Sequence, residues 1–109
     1  MSRYIRRGEQ EMSRAQLEIE NSKPFITPQM ACTICDALSY MVDLYAEYYI
    51  VDDEPEEKSA DLTSARAYYN AFALMKEYTR NEFFDHRKRY ERMQERQREV
   101  LLRLYEERP

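Results

Sequence analysis

From Ala60 to Arg108 the chain contains neither glycine nor proline. A stretch this long without a breaker has few ways to fold other than as helix, because turns and strand ends normally recruit those two residues. The whole chain has one glycine (Gly8) and four prolines (Pro24, Pro28, Pro55, Pro109), and its remaining residues are rich in Ala, Leu, Met, Glu, Arg and Gln. These are the strongest helix formers, so the expectation is an all-α protein. At 109 residues it is read as one domain (1–109), able to bury about 65% of its unfolded surface around a modest core.

Local signals divide the helical material. Residues 1–24 are charged and weakly periodic, giving a weakly ordered segment or a short helix opened by Ser13-Arg14-Ala15-Gln16, which fits a capping box. Next, Thr27 is suited to an N-cap and Pro28 to the first helical position. Ala31, Ile34, Leu38, Met41, Tyr45 and Tyr48 then recur at spacings of three and four, and Cys35, Val42 and Tyr49 widen the stripe. The prediction is a helix over 28–50 with a broad apolar face. An acidic loop at 52–58, broken by Pro55, is expected to turn the chain back. A helix over 60–78 comes next, with Leu62, Ala65, Tyr69 and Phe72 as its stripe. Another runs over 80–107, with Phe83, His86, Tyr90, Met93, Gln97, Val100 and Leu104 as its stripe.

Length decides how the last two relate. Residues 28–51 as a helix span ~36 Å, whereas 60–107 as a single helix would span ~72 Å. A hairpin cannot cover the longer rod. Either it breaks or kinks near 79–82, where Thr79-Arg80-Asn81-Glu82 repeats the capping-box pattern, or residues 83–104 form a homodimer. The favoured architecture is a small helical bundle built on an antiparallel hairpin, with the break.

Charge is unevenly spread. The net value is −4, yet residues 40–61 hold eight acids (Asp43, Glu47, Asp52, Asp53, Glu54, Glu56, Glu57, Asp61) against Lys58 alone. No charged leader with an apolar core is visible at the N-terminus, and the longest uncharged run, ending at Cys35, is far too short to span a bilayer. With two cysteines and no secretory signal, the chain is read as soluble and cytoplasmic (host cytoplasm if phage-encoded), with no membrane partner.

Few catalytic constellations are present. Cys32-Thr33-Ile34-Cys35 is a lone C-x-x-C beyond the expected cap and without a preceding strand, so it reads as helix packing and not as a redox pair. A zinc site would need a second pair from another chain, since His86 is the only histidine. His86 lies on an apolar stripe with no nucleophile motif beside it. One glycine rules out a phosphate-cradling loop, and no Glu-x-x-His supports a di-iron bundle. Glu56-Glu57 with Asp61, then Glu82-Phe83-Phe84-Asp85, resembles the E-E-x-x-E and E-x-x-D segments of all-α nucleoside triphosphate pyrophosphatases of the MazG type. That resemblance implies a Mg²⁺-dependent hydrolase with those carboxylates on facing helices, although Asp61 stands one residue too far along. No metal or other cofactor is otherwise implied.

Two surfaces remain. Arg87, Lys88, Arg89, Arg92, Arg96 and Arg98 lie beside Tyr90 and would offer phosphate contacts to a nucleic acid. Glu91, Glu95 and Glu99 alternate with them as on a solvated helix face, and the chain is acidic overall, so direct nucleic-acid binding is disfavoured. The other surface joins Asp43, Tyr45, Glu47, Tyr48 and Tyr49 to Asp52, Asp53, Glu54, Glu56 and Glu57. Carboxylates beside tyrosines mimic a phosphate backbone with stacked bases, a device used by small acidic inhibitors of nucleic-acid enzymes, phage anti-CRISPR proteins among them. The sequence is therefore read as a non-enzymatic interaction protein, an inhibitor or adaptor for a protein with a basic surface.

Overall fold

The structure, a computed structural model, describes residues 26–80 and 85–107. Three helices account for most of them: α1, Pro28–Val51; α2, Pro55–Met75, continued by the 3-10 turn Lys76–Tyr78; and α3, Arg87–Glu106. Among the described residues there is no strand, only an isolated antiparallel bridge between Arg80 and Asp85. The protein is an all-α bundle on an antiparallel α1–α2 hairpin. The N-terminal helix expected within 1–24 lies outside the described residues, as do Glu82, Phe83 and Phe84.

Capping chemistry explains α1. The Thr27 hydroxyl oxygen accepts from the Met30 amide at 3.1 Å, and Pro28 takes the first helical position, where its missing N–H is no loss. The helix closes one residue later than expected, at Val51, with the Asp52 amide donating to the Tyr48 carbonyl at 2.8 Å.

The acidic loop predicted at 52–58 is shorter than that, being only Asp52–Glu54. Pro55 does not break a helix; it starts one. Its fixed φ suits the first turn, and Glu56 and Glu57 just behind it face the positive end of the helix dipole. The helix expected from 60 therefore begins at Pro55.

The helical material is divided near the expected break: the 3-10 turn ends at Tyr78, and the last helix is a separate element. Thr79 does not cap a following helix. It is fully buried, and its hydroxyl donates to the Lys76 carbonyl at 2.6 Å, ending the 3-10 turn. The last helix begins at Arg87, not 80. Asp85 supplies the cap instead, accepting from the Arg87 amide at 3.0 Å. Of the stripe expected on the last helix, Tyr90, Gln97 and Leu104 are buried within the chain, together with Leu101, which is not part of it.

Hydrogen bonds fix the direction of α3. Tyr90 reaches Cys32 and Asp36, Gln97 reaches Ser39 and Asp43, and the Tyr49 hydroxyl reaches the Leu104 carbonyl. Rising numbers on α3 meet rising numbers on α1, so α3 runs parallel to α1 and antiparallel to α2.

The core has two apolar clusters. One, toward the hairpin turn, contains Val42, Ala46, Tyr49, Leu62, Ala65, Leu101 and Leu104. The other holds Cys35, Phe72 and Tyr90, flanked by Cys32, Leu38, Met75 and Met93. Buried Ser39, Gln94 and Gln97 belong to neither cluster, and by position along α1 and α3 they form a polar level between the two. There the Gln97 amide nitrogen donates to the Ser39 carbonyl at 3.1 Å and to its hydroxyl at 3.0 Å.

The buried face of α1 differs from the expected stripe. Ala31, Cys35, Ser39, Val42, Ala46 and Tyr49 are buried, each but the first one residue past a position of the 34, 38, 41, 45, 48 series. Small side chains hold the centre because they let neighbouring helices approach closely, and bulkier ones flank them. Tyr45 is one such flank, half-buried and stacked on Tyr68 at 5.6 Å with Tyr48 edge-on to it.

Candidate interaction surface at the hairpin tip

Two helix ends of opposite polarity meet at the hairpin turn. The carbonyl end of α1 favours cations and the amide end of α2 favours anions. Glu56 and Glu57 are on the favourable side, whereas Asp52 and Asp53 come after the carbonyl end, where carboxylates are unfavourable. Lys58 reaches back from α2 to offset this. Its ammonium donates to the Tyr49 carbonyl in the last turn of α1 and sits 4.6 Å from the centre of the Tyr49 ring. The single base of the acidic stretch is thus committed to holding the hairpin.

The ten residues read as one acidic surface divide into three groups. Glu47, Tyr48, Asp53, Glu54, Glu56 and Glu57 are exposed at or near the tip, and among the described residues none of these carboxylates has an ion pair. Exposed Ile50 (63%) and Val51 (68%) stand among them. Tyr49 and Tyr45 are different: Tyr49 is a core residue whose hydroxyl donates to the Leu104 carbonyl at 3.4 Å, and Tyr45 is packed against Tyr68. Asp43 lies along the α1–α3 seam, accepting from Gln97 at 3.2 Å, and Asp52 closes α1. What the sequence presents as a continuous patch is, in space, a compact acidic and apolar tip with structural residues behind it.

Beside Asp52 lies a buried carboxyl that the sequence places both in the acidic run and in the pyrophosphatase-like pattern. Asp61, in the second turn of α2, is 9% exposed, and its Oδ2 has no hydrogen-bond partner. Burial first, then the carboxyl of Asp52 and the charge of Glu57, push its pKa from the ordinary 3.8 up to about 6, with Lys58 pulling the other way.

Two carboxylates of the pyrophosphatase-like pattern, Glu57 and Asp85, are not brought together, and Glu82 lies outside the described residues. Glu57 is in the first turn of α2 and Asp85 lies beyond its far end, so the full helix, ~30 Å long, separates the two carboxylates. No group of three or more His, Cys, Asp or Glu side chains that would hold a metal is found among the described residues.

The arginine-rich helix is partly committed to its own fold. Arg87 bonds Asp85 through Nε at 3.2 Å and Nη2 at 3.1 Å, and pairs with Glu77 at 3.3 Å. Those bonds hold the Asp85 carboxyl below its ordinary range and raise Arg87. Arg89 donates to the Tyr90 hydroxyl at 2.6 Å, lies over its ring and is 3.6 Å from Asp36. Lys88, Arg92, Arg96 and Arg98 remain exposed.

The Tyr90 hydroxyl is the centre of that second network. It lies 2.8 Å from Asp36 Oδ1 and 3.1 Å from the Cys32 carbonyl, two acceptors for its one proton, and burial raises its pKa well above the usual range. Tyr90→Phe should cost about 1 kcal/mol of stability, read from urea midpoints by circular dichroism; an unchanged midpoint would show that the network holds nothing. Next to it the Cys35 thiol is fully buried and pushed up to about 11 by burial, with Cys32 and Asp36 adding to the shift. A thiol raised in this way is a poor nucleophile near neutrality.

No protein-family model matches the chain, and no curated protein or solved structure matches it. Any functional reading therefore rests on the chain's own residues. Among the described residues no helix is long and apolar enough to cross a membrane.

Proposed function

We propose that the protein is an interaction module, a small acidic inhibitor or adaptor that docks the tip of its α1–α2 hairpin on a basic surface of a nucleic-acid-handling protein. One observation carries this reading. Five exposed carboxylates (Glu47, Asp53, Glu54, Glu56, Glu57) surround exposed Tyr48, Ile50 and Val51 at one end of the bundle, and the neighbouring lysine is turned inward. Solvated loops seldom group apolar side chains with unpaired charge of one sign. An interface profits from both, since the charges steer and select the partner while the apolar groups supply contact area. Presenting carboxylates and a tyrosine to a groove built for nucleic acid is the device of DNA-mimic inhibitors, including those of phage origin.

The test is a comparison of bait proteins in extract from the native host. Wild-type protein and a variant with Asp53, Glu54, Glu56 and Glu57 all changed to lysine are each immobilised, and bound proteins are eluted at low and at high salt. Asp52 is left intact because it closes α1. The expected result is a partner retained only by the wild type at low salt, with affinity at least about tenfold weaker for the reversed tip. A partner held equally by both baits, at both salts, would clear the tip of any binding role.

A further inference from the structure

The tip is not flat. Between the hairpin turn and the end of α3 lies a cleft of about 610 Å³. Ile50, Pro55 and Leu104 provide apolar wall, and Asp53 and Glu107 bring carboxylates from the turn and from the end of α3. Lys58 also lines it, but its ammonium is held by the Tyr49 carbonyl and ring. Among the described residues neither Asp53 nor Glu107 has an ion pair.

We infer that this cleft receives an arginine side chain of the partner, flanked by an apolar residue. This inference rests on reading the tip as a protein-docking surface. The chemistry favours arginine over other cations. Its aliphatic stem suits the Ile50–Pro55–Leu104 wall, and its guanidinium is weakly hydrated, so less is lost on leaving water. Five fixed N–H donors let one planar group address carboxylates on two different elements, whereas an ammonium acts as a compact, strongly hydrated point charge. The cleft is also large enough for a neighbouring apolar side chain to cover exposed Ile50.

The deciding experiment titrates the full ¹⁵N-labelled chain with the tripeptide acetyl-Leu-Arg-Leu-amide and monitors amide chemical shifts. Saturable shifts are expected at Ile50, Lys58, Leu104 and Glu107. Binding should weaken at least about fivefold when citrulline, which keeps the shape but loses the charge, replaces arginine. A similar loss is expected in the chain carrying Asp53→Asn with Glu107→Gln, whose melting temperature verifies that it is folded. Equal affinity for the arginine and citrulline peptides overturns the cleft, as do small unsaturable shifts spread over all exposed acids. Those results leave the docking reading intact, because that reading fails only if reversing the whole tip leaves partner binding unchanged.

Discussion

Replacing Phe72 with alanine should lower the unfolding free energy by about 3–5 kcal/mol. The ring is fully buried and stands edge-on to Tyr90, with centroids 5.6 Å apart. Together with Cys35 these two rings form the cluster farthest from the hairpin turn. Truncation leaves a cavity lined by side chains from all three helices, and helical backbones cannot collapse into it without losing their own register. Domains of this size are stable by about 5–15 kcal/mol in total, so the variant should be partly unfolded near 40 °C. Urea titration of both proteins checks this, with Leu74→Ala as the control. Leu74 is two residues away and 73% exposed, and its loss should stay within about 0.5 kcal/mol. A Phe72→Ala cost below about 1 kcal/mol would mean that α3 is not packed on the hairpin at this end.

Changing Asp61 to asparagine should act in the opposite direction, making the protein more stable at neutral pH by about 2 kcal/mol. The Asp61 carboxyl titrates at about 6 in the folded chain against an ordinary 3.8. The native state therefore binds more protons than the unfolded state between those two values. Stability then falls as pH rises through the window, the reverse of a carboxylate held by a cation. Below pH about 4 the penalty is absent, and above about 6 it is fully present. A shift of this size corresponds to about 3 kcal/mol, reduced here because the pair lies at the solvent-facing end of the bundle. Asparagine removes the buried charge and supplies an N–H₂ to the Asp52 carboxylate. Midpoints from pH 4.5 to 7.5 should decline for the wild type and stay nearly level for the variant. A wild-type curve that rises toward neutrality would show that Asp61 is paired with a cation instead. Asp85 contributes in the ordinary sense, since its carboxyl is held low by Arg87 and its stabilisation is lost only on stronger acidification.

Helix content and the hairpin arise from local chemistry, which is why they are legible in the sequence. Thr27-Pro28 starts a helix whatever surrounds it, and a chain without glycine or proline from 60 to 108 has little else to form. Which face of α1 is buried depends on tertiary contact and is hidden by a bias toward large apolar residues. Tyr45 and Tyr48 look like core, but the centre is held by Cys35, Ser39 and Ala46. The readable signal is a small residue at 31, 35 and 39, one per turn. Pro55 misleads for a related reason, since a proline ends one helix or begins another depending on the residues beyond it. The roles of Lys58 and Asp61 depend on how two helix ends meet, a relation with no fixed spacing along the chain. The exposed acids of the tip are legible, whereas the division of the tyrosines into a core one, a packed one and an exposed one is not.

The seam between α1 and α3 has a consequence for uniqueness. Tyr90 contacts Cys32 and Asp36, and one heptad later Gln97 contacts Ser39 and Asp43, with the same sequence offsets each time. Sliding α3 by seven residues would set Gln94 and Gln97 in the places of Leu101 and Leu104 in one direction, and Gln97 in the place of Tyr90 in the other. In the first direction Gln97 would then face Ala46 and Ile50, losing every acceptor it has. In the other, Leu104 would be set against Ser39 and Asp43, burying polar groups under a hydrocarbon side chain. Each misalignment strands buried hydrogen-bonding groups at about 1–3 kcal/mol apiece. The two repeated polar contacts thus work as a key that admits one alignment of the third helix and rejects its nearest imitations.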